Sequence, residues 1–312
     1  LPVQREGLKN NTYTTSGLLE KENKIIQLML DGRNKHQSIT PDLPKYLDKL
    51  NLLNEGQKRS AELILSAQDM VVGIQGFAGT GKTTMLKTLN EIVQAEGYQF
   101  IGLSPTGVAT RNLSTVGNIE SMTLQRFLLQ YDGVAAGRGT KQGRIEMKEK
   151  FKDKVIIVDE SSMISTDQMK NLLTISSELD FKLVLVGDRR QLDSVEAGVP
   201  FYEMLRNGMP FTDMREILRQ KNPNLKSAVY SVIKRQVDKA FKELDRDIIE
   251  TKEIGSETVK EFMSKSSDQR KDTIILTPAN ETREEINKEI SRLLYKERVR
   301  ESRGKEYSHE IY

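Results

Sequence analysis

The chemistry of this chain is concentrated in the run Gly76-Phe77-Ala78-Gly79-Thr80-Gly81-Lys82-Thr83, spaced as G-x-x-x-x-G-K-[ST]. Glycines at these positions let successive backbone N–H groups turn towards one point, and a helix starting near Lys82 aims the positive end of its dipole at the same point. The lysine adds a full charge and the threonine hydroxyl a hard oxygen ligand. Such a loop cradles phosphates. Gly76, Gly79, Thr80, Gly81, Lys82, Thr83 and Thr84 are therefore read as a nucleotide site, with Lys82 on the β/γ-phosphates and Thr83 on Mg²⁺. A chance glycine-rich turn is the competing account. Against it, the apolar run "MVVGIQ" precedes the motif and the helical pattern "TTMLKTLNEIV" follows it, supplying the strand and helix that phosphate binding needs.

A second group of carboxylates must complete the metal shell. Asp159-Glu160 follows the apolar run "KVIIV"; Asp159 is placed to hold Mg²⁺ through water and Glu160 to polarise an attacking water as general base. Two solvated acids after a core strand would look the same in isolation, but beside a phosphate loop the pair points to nucleotide hydrolysis. At the end of a third apolar run, "KLVLVGDRRQL", Gln191 can reach a γ-phosphate, because an amide donates and accepts at once. A plain surface turn is an equal reading of that residue. Other chemistries fall away. The chain has no cysteine, which excludes disulfide frameworks, zinc ribbons and thiol catalysis, and its only two histidines, His36 and His309, leave little room for histidine-based triads. Its 48 basic and 45 acidic residues leave a net charge of +3, so any basic surface is local.

The elements that hold these groups follow from periodicity. With 312 residues, 37% hydrophobic and 30% charged, the chain is long enough for about two domains and has no run that could span a membrane. From about Lys45, short β-branched runs alternate with helical patterns, which predicts βαβ units, a parallel sheet covered on both faces, and the α/β class. Residues 1–44 read as an N-terminal helical and linker segment, with a helix around Leu18–Leu30, and residues 45–222 as the main domain. Within it, 130–154 is glycine-rich and basic and is expected to project as an insertion or hairpin. A charged helical connector covers 223–272. Residues 273–312, with "DTIILTPAN" as a strand and "ETREEINKEISRLLYKE" as a helix, read as the incomplete start of a second α/β unit. The first residue is Leu1 and no apolar stretch of signal-peptide length opens the sequence, which suggests an excerpt from a longer chain.

"GFAGTGKTT", "LSPTGVATRNL", "SMTLQRFL", "VIIVDESSM", "LVLVGDRRQLDSVEAGVPF" and "MREILRQ" occur in the order and spacing of the superfamily 1B (RecD-like) DNA helicases. The chain most resembles the helicase part of F-type conjugative relaxase/helicases, over about Leu50–Leu293. This resemblance implies a RecA-like P-loop NTPase with a parallel central sheet, followed by the start of a second RecA-like lobe, and ATP with Mg²⁺ as cofactors. It puts Gln57 on the adenine edge and Arg219 on the γ-phosphate, where a guanidinium from outside the loop stabilises the transferring phosphoryl group. For Arg219 a helix-end ion pair is the plainer alternative. Pro105, Thr106, Gly107 and Thr123 match single-strand contacts, although both threonines would also serve as helix N-caps. Lys82, Glu160, Gln191 and Arg219 then make up the catalytic set.

The leading expectation is an ATP-dependent 5′–3′ single-stranded DNA translocase or helicase of conjugative DNA transfer, cytoplasmic and monomeric. It would lack motifs V and VI and the relaxase domain, with relaxosome and secretion-channel proteins as candidate partners. A nucleotide-gated DNA-binding or scaffold module without unwinding is the alternative from another class. A phosphate-loop ATPase indifferent to nucleic acid leaves "TGVAT", "TLQRF" and the basic residues Arg138, Lys141 and Arg144 of the insertion unexplained.

Overall fold

A computed structural model describes residues 15–188 and 198–309, together with two short strands, β1 (Pro2–Val3) and β2 (Thr12–Tyr13), that pair antiparallel. The chain divides into two units, residues 1–240 and 241–312. The first begins with α1 (Ser16–Asp31), α2 (Leu47–Leu50) and α3 (Glu55–Ser66), followed by β3 (Val71–Gly76), α4 (Lys82–Ala95), β4 (Gln99–Ser104), α5 (Gly107–Thr115) and β5 (Glu120–Thr123). Next come α6 (Leu124–Gln130), α7 (Asp132–Ala135), α8 (Lys141–Phe151), β6 (Lys154–Val158) and α9 (Thr166–Leu179). The unit closes with β7 (Lys182–Gly187), α10 (Pro200–Arg206), β8 (Phe211–Met214), α11 (Pro223–Ile233) and the start of α12 (Val237–Glu243).

Strands β3 to β8 form one parallel sheet in the order β5-β4-β6-β7-β3-β8, the α/β architecture expected from the alternating pattern. Because successive side chains on a strand point to opposite faces, each apolar run feeds two cores at once. Val72, Ile74, Val155, Ile157, Val184 and Val186 pack under α3 and α4, where Leu86, Leu89 and Ile92 are buried. Val71, Ile156, Val158, Leu183 and Leu185 face the other layer, with Leu172 and Ile175 of α9. A strand that must satisfy both layers has no room for alternation with polar residues, hence the unbroken runs.

Two boundaries differ from the sequence reading. Helix α1 does not stand apart from the main domain: its Ile25, Leu28 and Met29 are buried in the α9 layer, and Lys21 bridges Asp167 at 2.7 Å. An amphipathic stripe needs an apolar face, and this one found the sheet's own cover. The insertion does not project either. Gly137 and Gly139, at φ of 71° and 104°, separate α7 from α8, and Phe151 at the end of α8 stacks on Phe181 at 4.7 Å beside Phe127 and Tyr131. Arg144 bridges Glu178 of α9 at 2.7 Å. Burial of Val134 and Phe151 outweighs the solubility of the charged residues between them.

The second unit contains α13 (Ile254–Ser264), α14 (Ser267–Lys271) and α15 (Asn280–His309). Arg270 ties it together, donating to both carboxylate oxygens of Glu297, at 2.6 and 3.2 Å, and to the carbonyls of Met263 and Lys265. The helix expected after Asn280 is present, but "DTIIL" forms no strand, and Ile274 and Leu276 are 82% and 90% exposed. A strand is stable only when a neighbour takes its N–H and C=O groups, and no strand is found among the described residues of this unit. Ile157→Ala should therefore cost about 2–5 kcal/mol in urea unfolding. Leu276→Ala should stay within about 0.5 kcal/mol, whereas a core-sized loss there would restore the strand.

At the base of β7, the buried Lys182 amine donates to Gln37 O at 2.9 Å and Ala67 O at 2.5 Å, tying the segment before α2 to the α3–β3 connection. Burial lowers its pKa from 10.5 to about 8, against the pull of Asp69. The unfolded chain therefore holds this proton more tightly, so the penalty is complete below the folded value and disappears above the unfolded one. Compared with Lys182→Met, the parent should gain relative stability as pH rises from about 8 towards 10.5. Urea melts with a pH-independent difference between the two would contradict this.

Candidate active site

In a parallel sheet all strands end at the same edge, and every group singled out for chemistry in the described residues lies there. Strand β3 runs into the phosphate loop and α4. Gly79 and Gly81 have φ of 79° and 76°, a left-handed conformation that side chains resist. Space forbids a side chain as well: a Cβ would come 2.7 Å from Arg219 Cβ at Gly79 and 2.5 Å from Gln57 Nε2 at Gly81. Lys82 Nζ donates to Gly76 O at 2.8 Å, so its charge lies across the loop. Thr83 sits half-buried in the first turn of α4, and Thr84 beside it is exposed.

Gln57, expected on an adenine edge, is held against the phosphate loop. Its Nε2 donates to Thr80 O at 3.1 Å and Gly81 O at 3.3 Å, while its Oε1 accepts Asn54 N at 3.1 Å in the capping box of α3. At 5% exposure both amide protons are spent on the protein, which makes Gln57 a brace behind the loop. The sequence shows a glutamine at the right distance but not which groups will claim its amide.

The sheet order sets the remaining geometry. Strand β7 lies between β3 and β6, so the acid pair is two strand spacings, about 10 Å, from the strand that carries the loop. That gap suits a terminal phosphate and a hydrated cation. Asp159 N donates to Leu103 O at 2.9 Å, and Asp159 Oδ1 accepts Glu160 N at 3.0 Å. Glu160 itself is left-handed, φ 54° and ψ 40°, which costs a non-glycine residue about 1–2 kcal/mol and turns its side chain out of the strand direction. Burial pushes both carboxyls above their usual range. For Glu160 the neighbouring Asp159 and Asp188 add to the rise, while Lys82 and Arg219 oppose it; for Asp159, Lys82 and the Glu160 N–H oppose it.

Arg219 is brought to the site by its main chain. Leu218 N and Arg219 N both donate to Gly79 O, at 2.8 and 3.1 Å, so the segment after β8 rests on the loop itself. Asp188 at the end of β7 was not singled out in the sequence. It is 3% exposed and accepts Gln75 Nε2 at 3.3 Å, which places a third carboxylate near Glu160. The "GD" ending an apolar run was its only signal. Gln191 lies outside the described residues.

The donor set fits a magnesium nucleotide. Among the described residues Asp159, Glu160 and Asp188 stand near Lys82 and Arg219, and a triphosphate brings further negative charge that a bound cation would offset. Among the described residues no group of three histidine, cysteine or carboxylate side chains could hold a metal by itself. That suits Mg²⁺, which keeps waters and takes ligands from substrate phosphates. Thr83 and Asp159 would hold it.

Pro105, Thr106 and Gly107 follow β4, and Thr123 ends the adjacent strand β5, whose register pairs Thr123 with Ser104. Thr106 Oγ1 accepts Ala109 N and Thr123 Oγ1 accepts Arg126 N, each at 3.3 Å, so both hydroxyls serve as N-caps. Gly107 faces open space.

Fold and site together define an α/β domain with a phosphate loop at the carboxyl edge of its parallel sheet. The chain belongs to the AAA domain family AAA_30, whose model matches residues 52–253. It is 29% identical over 231 residues to the multifunctional conjugation protein TraI of Escherichia coli (strain K12), a match covering 72% of this chain and 12% of that protein. It is 27% identical over 270 residues to the conjugal transfer protein TraA of Agrobacterium fabrum, covering 85% of this chain and 23% of the relative. Over 174 residues it is 30% identical to the ATP-dependent RecD2 DNA helicase of Deinococcus radiodurans, covering 55% and 23%. The matches span no more than 23% of the length of these relatives. No helix among the described residues is long and apolar enough to cross a membrane.

Lys82→Ala should weaken binding of a fluorescent ATP analogue by at least about tenfold, since removing one charged hydrogen-bonding partner from an anion typically costs this much. Titration of both proteins at fixed salt tests it, and equal affinities would remove Lys82 from the phosphate site.

Proposed function

We propose that this chain is the ATP-hydrolysing motor part of a conjugative helicase, acting on single-stranded DNA and moving along it 5′ to 3′ in the cytoplasm. One observation carries this reading: three different strand ends bring Lys82, Asp159 and Arg219 near enough to Glu160 to act on its charge. The conjugation proteins among its relatives support the setting, and through them relaxosome and secretion-channel proteins become the candidate partners. A RecA-like lobe acting as a monomer is consistent with the single-chain site.

In the proposed reaction the loop amides and Lys82 hold the β- and γ-phosphates. Glu160 takes a proton from water as the water oxygen bonds to the γ-phosphorus. The bond from that phosphorus to the β,γ-bridging oxygen breaks, and its electron pair leaves with ADP. Arg219 offsets the charge that spreads over the transferring group. Mg²⁺, when bound, supplies Lewis-acid neutralisation of the phosphate oxygens. Asp159 would be engaged with Mg²⁺, which leaves Glu160, a carboxylate held above its usual range and so a stronger base once ionised, for the proton.

The DNA side of the reading rests on the other strand ends. The α5 and α6 starts lie side by side at the same sheet edge, and with both threonine hydroxyls used as caps, backbone N–H groups and Gly107 remain to meet phosphates. In the insertion, Arg138 pairs with Asp132 and Arg144 with Glu178, so they offer less free charge than their number suggests.

Glu160→Gln should bind ATP as the parent does while turnover falls by about 10²–10⁴, the usual contribution of a general base. Single-stranded DNA should raise parental turnover more than duplex DNA does. A parent that binds Mg-ATP and DNA without turnover would instead be a nucleotide-gated scaffold. Normal hydrolysis by Glu160→Gln would remove Glu160 as the base.

A further inference from the structure

Buried hydroxyls need partners, and the described buried serines have them with one exception. Ser161 Oγ donates to Val158 O at 2.6 Å, Ser176 Oγ to Phe181 O at 2.7 Å and Ser60 Oγ to Gly56 O at 2.8 Å; Ser165 caps α9 and Ser104 Oγ accepts Thr106 N. Ser162, 7% exposed, has its Oγ sealed from solvent and hydrogen-bonded to nothing. This residue stands in the 3₁₀ turn Ser161–Met163 immediately after Glu160. Met163 N donates to Glu160 O at 3.0 Å, which pins the turn to the general base. Ser162 N lies 3.1 Å from where a Cβ on Gly187 would be, so the residue is pressed against the end of β7, next to Asp188.

A sealed hydroxyl with no partner lowers stability, and alanine would fill the same space without that cost. Packing therefore gives no reason for an oxygen at this position. Resting on the reading of function above, we propose that Ser162 is a positioning residue for hydrolysis, whose hydroxyl donates to an ordered water that enters with the nucleotide and in turn donates to the Glu160 carboxylate. The water fixes the carboxylate in the orientation that accepts the proton. No covalent bond changes in this role; Ser162 acts only through Glu160.

The test uses the full chain, with steady-state ATPase measured at saturating single-stranded DNA and thermal melting measured without nucleotide. Ser162→Ala should lower kcat about tenfold, the loss expected for one hydrogen bond, with KM for ATP unchanged. Its melting temperature should hold or rise by about 2–4 °C, because an unpaired buried oxygen is removed. Ser162→Thr, which keeps the hydroxyl, should recover kcat. Ser176→Ala is the contrast: its hydroxyl is paired, so melting should fall and kcat stay at the parental value. Parental kcat in Ser162→Ala, or a lower melting temperature for it, overturns the proposal alone. A parent with no ATP turnover overturns the reading of function, and this proposal with it.

Discussion

A loop that turns its N–H groups inward to a phosphate must turn its carbonyls outward, and each of those needs a donor. This constraint organises the site. Gly76 O is met by Lys82 Nζ, Phe77 O by Thr80 Oγ1, Gly79 O by Leu218 N and Arg219 N, and Thr80 O and Gly81 O by Gln57 Nε2. Besides the loop's own Thr80 and Lys82, the donors come from α3 and from the segment after β8, so two distant stretches of sequence are drawn to one turn. The loop holds its shape before any anion arrives, and the ligand does not have to order it.

The same bonds deliver function. Arg219 reaches the site because the peptide groups around it satisfy Gly79 O, and its guanidinium is left free of that duty and exposed. Placing the brace in the backbone and the charge in the side chain means that a substitution of the side chain removes the charge without collapsing the loop. Gln57 is the opposite case. Its side chain is the brace, so losing it would take a donor from Thr80 O, while Gly81 O would keep Met85 N.

Local chemistry was legible in the sequence, and long-range pairing was not. The loop, the acid pair and the strands that carry them could be read because each is a contiguous run with its own periodicity, and the sheet and its two cores follow from those runs. The roles of Gln57 and Asp188 depend on partners 23 and 113 residues away, which spacing does not encode. The packing of α1 and of the insertion was hidden for a related reason: an amphipathic helix announces that it has a buried face but not which surface will cover it. "DTIIL" shows the converse, a strand-like pattern that no neighbour completes.

The turn after β6 concentrates what the phosphate loop and its supports avoid. Elsewhere in the described part of the phosphate loop and its supports, left-handed positions are glycines; here the left-handed residue is Glu160. Elsewhere acids such as Glu91, Asp167 and Glu178 stand at salt-bridge distance from a cation; here Asp159 and Asp188 push Glu160 up while Lys82 and Arg219 oppose them. Both features oppose folding, and both are tolerated because β6 and β7 are locked in the centre of a sheet whose two cores resist displacement. The same rigidity gives the strain a use. A carboxylate that cannot relax away from its neighbours is stabilised by the arrival of cationic charge and destabilised by its loss, so nucleotide entry with its cation and departure of the cleaved phosphate change the energy of this turn in opposite directions. The turn adjoins β4 through the β4–β6 pairing, and β4 in turn pairs with β5, so on the proposed function a change in its energy reaches the sheet edge that carries Thr106 and Thr123.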